Sequence, residues 1–165
     1  YGKKLVNCYQ RNADILAKPM LDNDIPILNY RYIRLHSFGE IINFDHAKNL
    51  IRICQKNTDT QFSIWTKRIG LLSKAFNELE KPDNLIVVQS SLMINFQEEK
   101  MAHADKVFTV YDIEYTQRNK VKINCKQSCF SCMICYTKKT VSVVNEFLRH
   151  AGIYNRRIPY KEEIK

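Results

Sequence analysis

From residue 30 onward the chain alternates between two hydrophobic periods. "YRYIRLHSF" (30–38) is rich in aromatic and β-branched residues and reads as a strand. "NFDHAKNLIRICQKN" follows, with Asn43 as its N-cap and Ala47, Leu50, Ile51 and Cys54 at i, i+3, i+4 and i+7, one face of a helix. The alternation then repeats. "TQFSIWT" (60–66) is a second strand, and "GLLSKAFNELEK" sets Leu71, Leu72, Ala75, Phe76 and Leu79 on one helical stripe that Pro82 ends. "NLIVVQSS" (84–91) is a third strand whose continuous apolar run suits burial on both faces. "NFQEEKMAHA" reads as a short helix and "DKVFTVYD" (105–112) as a fourth strand.

Strand–helix–strand repetition with short connections predicts parallel pairing through right-handed crossovers. The fold class is therefore α/β, a parallel sheet of about four strands, either a small open sheet or an arc of a (β/α) barrel. Residues 1–29 read as a helical segment interrupted by Pro19, 30–120 as the β/α core, and 121–138 as a cysteine-rich segment. In 139–165 the stretch "TVSVVNEFLRHAG" places Val141, Val144 and Leu148 on one helical face with Gly152 as its stop, and a polar tail follows. One domain accounts for all 165 residues.

Composition changes this picture little. Hydrophobic residues at 45% and charged residues at 26% are the balance of a globular protein. No apolar run approaches the roughly 20 residues of a membrane span, and no signal-peptide pattern opens the chain. The expected location is cytoplasmic, with no membrane partner. The chain starts at Tyr1 without an initiating Met, so a processed, trimmed or partly ordered product is expected. Charge does add something. A net charge of +9 favours polyanionic partners, nucleic acid among them, although the lysines and arginines are spread along the chain.

The most specific signal is "INCKQSCFSCMICY" (123–136), which holds four of six cysteines with the spacing Cys125-x3-Cys129-x2-Cys132-x2-Cys135. In a reducing compartment such a group is a poor candidate for a disulfide framework. Crowded thiolates repel one another, and a bound metal neutralises them. The Cys129–Cys132–Cys135 run is like the CxxCxxC stretch that wraps three corners of a cubane in bacterial ferredoxins. Zinc, the alternative, more often uses two separated knuckles, whereas here the knuckles share Cys132. Cys125, or Cys8 from the N-terminal segment, would complete the set. A helix would also display these positions as a buried cysteine stripe.

Taken together, "YIRLHSFGEI", "TQFSIWTK", "NLIVVQSS" and "INCKQSCFSCMICY" resemble the gene product 88-like proteins of phages and mobile elements. The shared pattern is a strand ending in a His-Ser-x-Gly-acidic turn, an aromatic-Thr-Lys strand end, and a cysteine cluster followed by an aromatic, over about residues 1–136. The resemblance implies a phage or mobile-element protein with further cysteines upstream of Tyr1. It also brings an outline similarity to radical S-adenosylmethionine partial barrels, whose N-terminal CxxxCxxC loop is absent from this chain.

In parallel α/β folds ligands bind at the C-terminal strand ends. Those ends carry His36, Ser37 and Glu40, then Lys67, then Gln89 and Ser90, then Asp112, candidates for a small-molecule pocket. His36 stands out because imidazole titrates near neutrality. His46, His103 and His150 lack ligand spacing and read as surface residues. Three functions remain open: an iron–sulfur protein on a partial barrel, such as a remnant of a radical S-adenosylmethionine-like enzyme; a zinc-stapled basic module for nucleic acid; and a metal-stabilised structural or interaction protein of a phage particle.

Overall fold

Five strands lie side by side in the order in which the chain makes them, and every neighbouring pair is parallel. They are β1 (Tyr32–Leu35), β2 (Gln61–Thr66), β3 (Leu85–Ser90), β4 (Lys106–Tyr111) and β5 (Val143–Phe147). The helices are α1 (Lys3–Leu16), α2 (Phe44–Lys56), α3 (Ile69–Phe76), α4 (Ile113–Asn119) and the single turn α5 (Cys129–Cys132). The structure, a computed structural model, describes residues 2–36, 38–138 and 141–149, without the side chain of Phe130. Ser37, His150 and the tail beyond it lie outside the described residues.

Sequential order has a steric consequence. Right-handed crossovers that always step in one direction stack their helices on the same face of the sheet. Here that face packs on α2 and α3. Phe62, Ile64, Leu85 and Val87 join Leu50, Ile51, Ile69 and Leu72 in one core, with Leu16 and Met20 at its margin. Strand alternation sends Ile86, Val88, Phe108 and Val144 to the opposite, open face. β3 is thus apolar on both sides, as its uninterrupted run predicts, with each fully buried aliphatic chain contributing roughly 1.5–3 kcal/mol.

Local chemistry explains the helix limits. Asn43 caps α2 by accepting the His46 N–H at 2.9 Å, as expected. Asn49, 1% exposed, donates to the carbonyls of Leu16 and Lys18 and so fastens the end of α1 to α2. α3 stops at Phe76, earlier than its stripe suggests, although Leu79 N–H still reaches the Ala75 carbonyl.

Two expected helices are not helices. Residues 95–104 form an irregular connection, entered and left through left-handed residues Asn95 (φ 61) and His103 (φ 66). Its polar groups bond outward instead of along a helix: Glu98 accepts from Leu92 N–H (2.8 Å) and Gln89 (3.1 Å). The second case is "SVVNEF". Val141, Val144 and Leu148 imitate a helical period, but the stretch is β5, paired with β4 from Val107–Val143 to Tyr111–Phe147. Adjacent β-branched valines are stiff in a helix and fit a pleated edge, and β4 has backbone groups that need a partner. The sheet therefore has five strands, one more than anticipated.

β5 does not leave its own outer edge bare. Asn124 and Cys125 donate backbone N–H groups to the Asn145 carbonyl (3.2 and 3.0 Å). The Asn124 side chain accepts from Asn145 N–H (2.9 Å) and donates to the Val143 carbonyl (2.8 Å). This reciprocal clasp ties the entrance of the cysteine segment to the last strand. Among the described residues no helix is long and apolar enough to cross a membrane.

Replacing Asn124 by Ala removes both side-chain bonds and strands the Asn145 N–H, at an expected cost of about 1–3 kcal/mol. Urea denaturation reads the loss of stability, and hydrogen exchange should localise it to the amides of Val143–Phe147. Unchanged protection there would show that the clasp carries no weight.

Candidate functional site

The cysteine segment spans the open face of the sheet. At one edge it is clasped to β5, and at the other the Tyr136 ring meets Tyr32 of β1 edge-on at 5.6 Å. Between these anchors a turn of helix, Cys129–Cys132, passes through left-handed Met133 (φ 55) into a 3-10 turn, Ile134–Tyr136. Because the helical turn ends there, the four cysteines do not form one helical stripe. They line one small basin that opens to solvent. Arg34 of β1, Trp65 of β2, and Val144 and Glu146 of β5 complete its walls together with Gln127, Met133, Ile134, Tyr136 and Arg149.

All four cysteines thus line one space. Among the described residues, no three or more His, Cys, Asp or Glu side chains form a group that could hold a metal ion as it stands. Cys135 is 7% exposed and packs with Val88, Phe108 and Val144. Burial pushes its thiol up to about 12, with Cys129 and Cys125 adding to the shift and Lys106 opposing it. Cys125 is pushed up to about 11, first by burial and then by Glu146 and the neighbouring cysteines, against a backbone N–H from Gln127. Both thiols are protonated at neutral pH, so a ligand that takes them as thiolates must displace those protons.

Cations surround the sulfurs. The Arg34 guanidinium lies 4.0 Å over the Trp65 ring, and its Nη1 stands 4.0 Å from Cys129 Sγ. Arg149 pairs with Glu146 at 2.7 Å and donates to the Gln127 carbonyl at 3.3 Å. Lys106, 1% exposed, donates to the Val141 carbonyl at 2.8 Å. Cys8 is not brought to this group: it lies on α1, which packs on α2 across the sheet. Cys54 is buried in α2 within the helical-face core.

The polar residues expected at the strand ends are placed there, engaged in tying loops together. Glu40 accepts from Thr66 Oγ1 (2.5 Å), Lys67 N–H (2.7 Å) and Ile41 N–H (2.8 Å). Gln89, 1% exposed, donates to Glu98 and the Glu99 carbonyl and accepts from Met101 N–H. Asp112 caps α4 by accepting Tyr115 N–H at 2.6 Å and also bonds the Asn95 amide. The Tyr115 N–H, then Asn95, hold its carboxyl below the usual range. Lys67 is exposed and Ser90 half-buried.

His36 does have a notable neighbour, and here the surface assignment of His46 is corrected. His46 is 2% exposed, since it faces the sheet from the first turn of α2, and its ring stands edge-on to His36 with centroids 5.3 Å apart. His46 Nδ1 accepts from Ile42 N–H at 3.2 Å, which puts the proton of the neutral ring on Nε2. That Nε2 and both nitrogens of His36 are buried without a hydrogen-bond partner among the described residues. Burial lowers the pKa of His36, partly opposed by Glu40 and the Trp65 backbone. His46 falls to about 4, through burial first and then His36.

Arg34, Trp65, Lys106, Glu146 and Arg149 escaped the sequence reading. The signal for Arg34 was present: in "YIRL" it alternates with Ile33 and Leu35, so it had to point away from the helical layer.

Strand order, α2 and α3 on one face and a cysteine-lined open face define the class: a singly wound parallel α/β protein with a four-cysteine basin. The chain belongs to the Gene product 88 family, which matches residues 21–141, from before β1 through the whole cysteine cluster. The family resemblance seen in the sequence is thereby established. No curated protein and no solved structure matches the chain, and no match carries the outline likeness to radical S-adenosylmethionine barrels.

The buried imidazole generates a pH dependence. His46 is neutral in the fold but titrates near 6.5 when unfolded, so the unfolded chain binds the extra proton. Stability is then full above pH 6.5 and falls as the pH drops toward 4, by on the order of 3 kcal/mol. His46→Asn keeps an acceptor for Ile42 N–H but cannot titrate. Urea midpoints measured from pH 7.5 to 4.5 (an assay window of about three units around the imidazole range) should slope less for this variant. Parallel profiles would remove His46 as the cause.

Proposed function

We propose that the four-cysteine basin holds a metal centre, an iron–sulfur cluster bound by Cys125, Cys129, Cys132 and Cys135, and that the chain is the cluster-bearing unit of a phage or mobile-element protein. The observation that carries this reading is the sharing of one basin by all four thiols of a single short segment, with Arg34 and Lys106 beside them. The donor set fits: thiolate sulfur is the ligand for both iron–sulfur clusters and zinc.

Ligand spacing favours the cluster over zinc. Four sulfurs about 2.3 Å from a single zinc ion crowd to within about 3.8 Å of one another. A polynuclear core holds its cysteines farther apart, and all four cysteines here line one basin. When bound, such a core supplies one-electron redox chemistry. The protein's own contribution is plain in its parts. The Asn124 clasp and the Tyr32–Tyr136 contact fix the two ends of the ligand segment. The buried wall of Val88, Phe108 and Val144 keeps water from one side.

Protein purified without oxygen should be brown, with iron and acid-labile sulfide in matched amounts and a sulfur-to-iron charge-transfer band. Colourless protein holding one zinc would replace the cluster with zinc; metal-free protein that resists reconstitution would end the proposal. Cys132→Ser should lose nearly all of the metal and loosen residues 125–136 in hydrogen exchange, whereas Cys8→Ser should retain it.

A further inference from the structure

Cys132 belongs to two overlapping CxxC pairs, Cys129–Cys132 and Cys132–Cys135, and spacing alone does not choose between them. The fold does choose. Cys129 and Cys132 are the two ends of one helical turn, held by Cys132 N–H to the Ser128 carbonyl (2.9 Å) and Met133 N–H to the Cys129 carbonyl (3.1 Å). Residues three apart on a helix share a face with Cβ atoms about 5–6 Å apart, and a disulfide needs about 3.5–4.5 Å. A turn of only four residues can tighten by that margin. Between Cys132 and Cys135 the left-handed Met133 (φ 55) breaks the helical path, so that pair shares no helical face. Burial separates the thiols in the same way. Cys135 is 7% exposed and, with Cys125, packs in the apolar cluster of Val88, Phe108 and Val144. Cys129 and Cys132 are half-buried and belong to neither apolar cluster among the described residues. Cys54 is shut inside the helical-face core, and Cys8 lies on α1.

We infer that Cys129 and Cys132 form a reversible dithiol–disulfide pair, closed by a low-molecular-weight disulfide of the glutathione kind. One cysteine sulfur gives up its proton and attacks the S–S bond of the oxidant, which releases one glutathione thiol and leaves a mixed disulfide. The second sulfur gives up its proton, attacks the protein sulfur of that mixed disulfide and releases the second glutathione thiol. The pair loses two electrons and two protons, and the glutathione disulfide gains both. Closing the pair requires no metal. Its consequence for the basin rests on the metal reading above: sulfurs bonded to each other cannot serve as thiolate ligands, so disulfide and metal exclude one another.

The test adds glutathione disulfide to the reduced, metal-free chain, alkylates the remaining thiols and digests with trypsin, which cuts after Lys126 and Lys138 and so parts Cys125 from the other three cysteines. The peptide 127–138 should carry an internal disulfide with the alkyl group on Cys135, in about tenfold excess over the Cys132–Cys135 isomer. In concentrated urea the two isomers should approach equal amounts, because the fold no longer selects between them. Equal amounts in the folded chain, a bridge to Cys125, glutathione adducts without ring closure, or thiols that all remain open to alkylation overturn the assignment. Cys129→Ser should abolish the bridge and Cys135→Ser should keep it; should Cys135→Ser fail to fold, the map of the unaltered chain decides. Zn2+ tests the consequence. The bridged chain should lose nearly all of the Zn2+ uptake of the reduced chain, and dithiothreitol should restore it. Uptake untouched by the bridge overturns the exclusion. A bridge in a chain that takes up neither Zn2+ nor an iron–sulfur cluster overturns the metal reading and leaves the pair standing.

Discussion

The rest of this structure depends on how the two faces of a singly wound sheet are covered: the first two crossovers lie on one, and the β4–β5 connection lies over the other. α2 and α3 bury one face. The other face, with Ile86, Val88, Phe108 and Val144, carries a smaller apolar cluster and needs a cover that α2 and α3 do not provide. The cysteine segment is that cover. Cys135 and Cys125 are therefore part of the open-face core, which explains how Cys135 can pack like an aliphatic side chain and still line the basin. Stability of the layer and chemistry of the site are placed in the same dozen residues.

Local sequence signals were legible wherever one physical effect dominated. Asn43 as a cap, the Ala47–Leu50–Ile51–Cys54 stripe and the continuous run of β3 each carry an unambiguous instruction, and each is obeyed. Failures occurred where two effects competed. Residues 141–148 combine a helical spacing with β-branched side chains, and the unpaired edge of β4 decided between them. At 95–104, Glu98 and Asn95 found partners outside the segment, so helical bonding was outbid.

The site was half legible for a related reason. The four cysteines announce themselves by spacing, and the structure sets them around one basin. Their charged neighbours come from β1, β4 and β5, far apart along the chain, and only the strand order brings them together. Buried polar residues were the hardest to foresee. His46 and Asn49 flank the apolar stripe of α2 and fall inside because sheet and α1 broaden the covered face well beyond that stripe.

The Asn124 clasp has an effect outside the single molecule. Unpaired strand edges are where β proteins join one another and grow into fibres. The last strand here has its outer carbonyls and amides engaged by residues 124–125, which leaves β1 as the remaining edge among the described residues. A body with one sticky side can form a pair, but it cannot extend into a filament by that route.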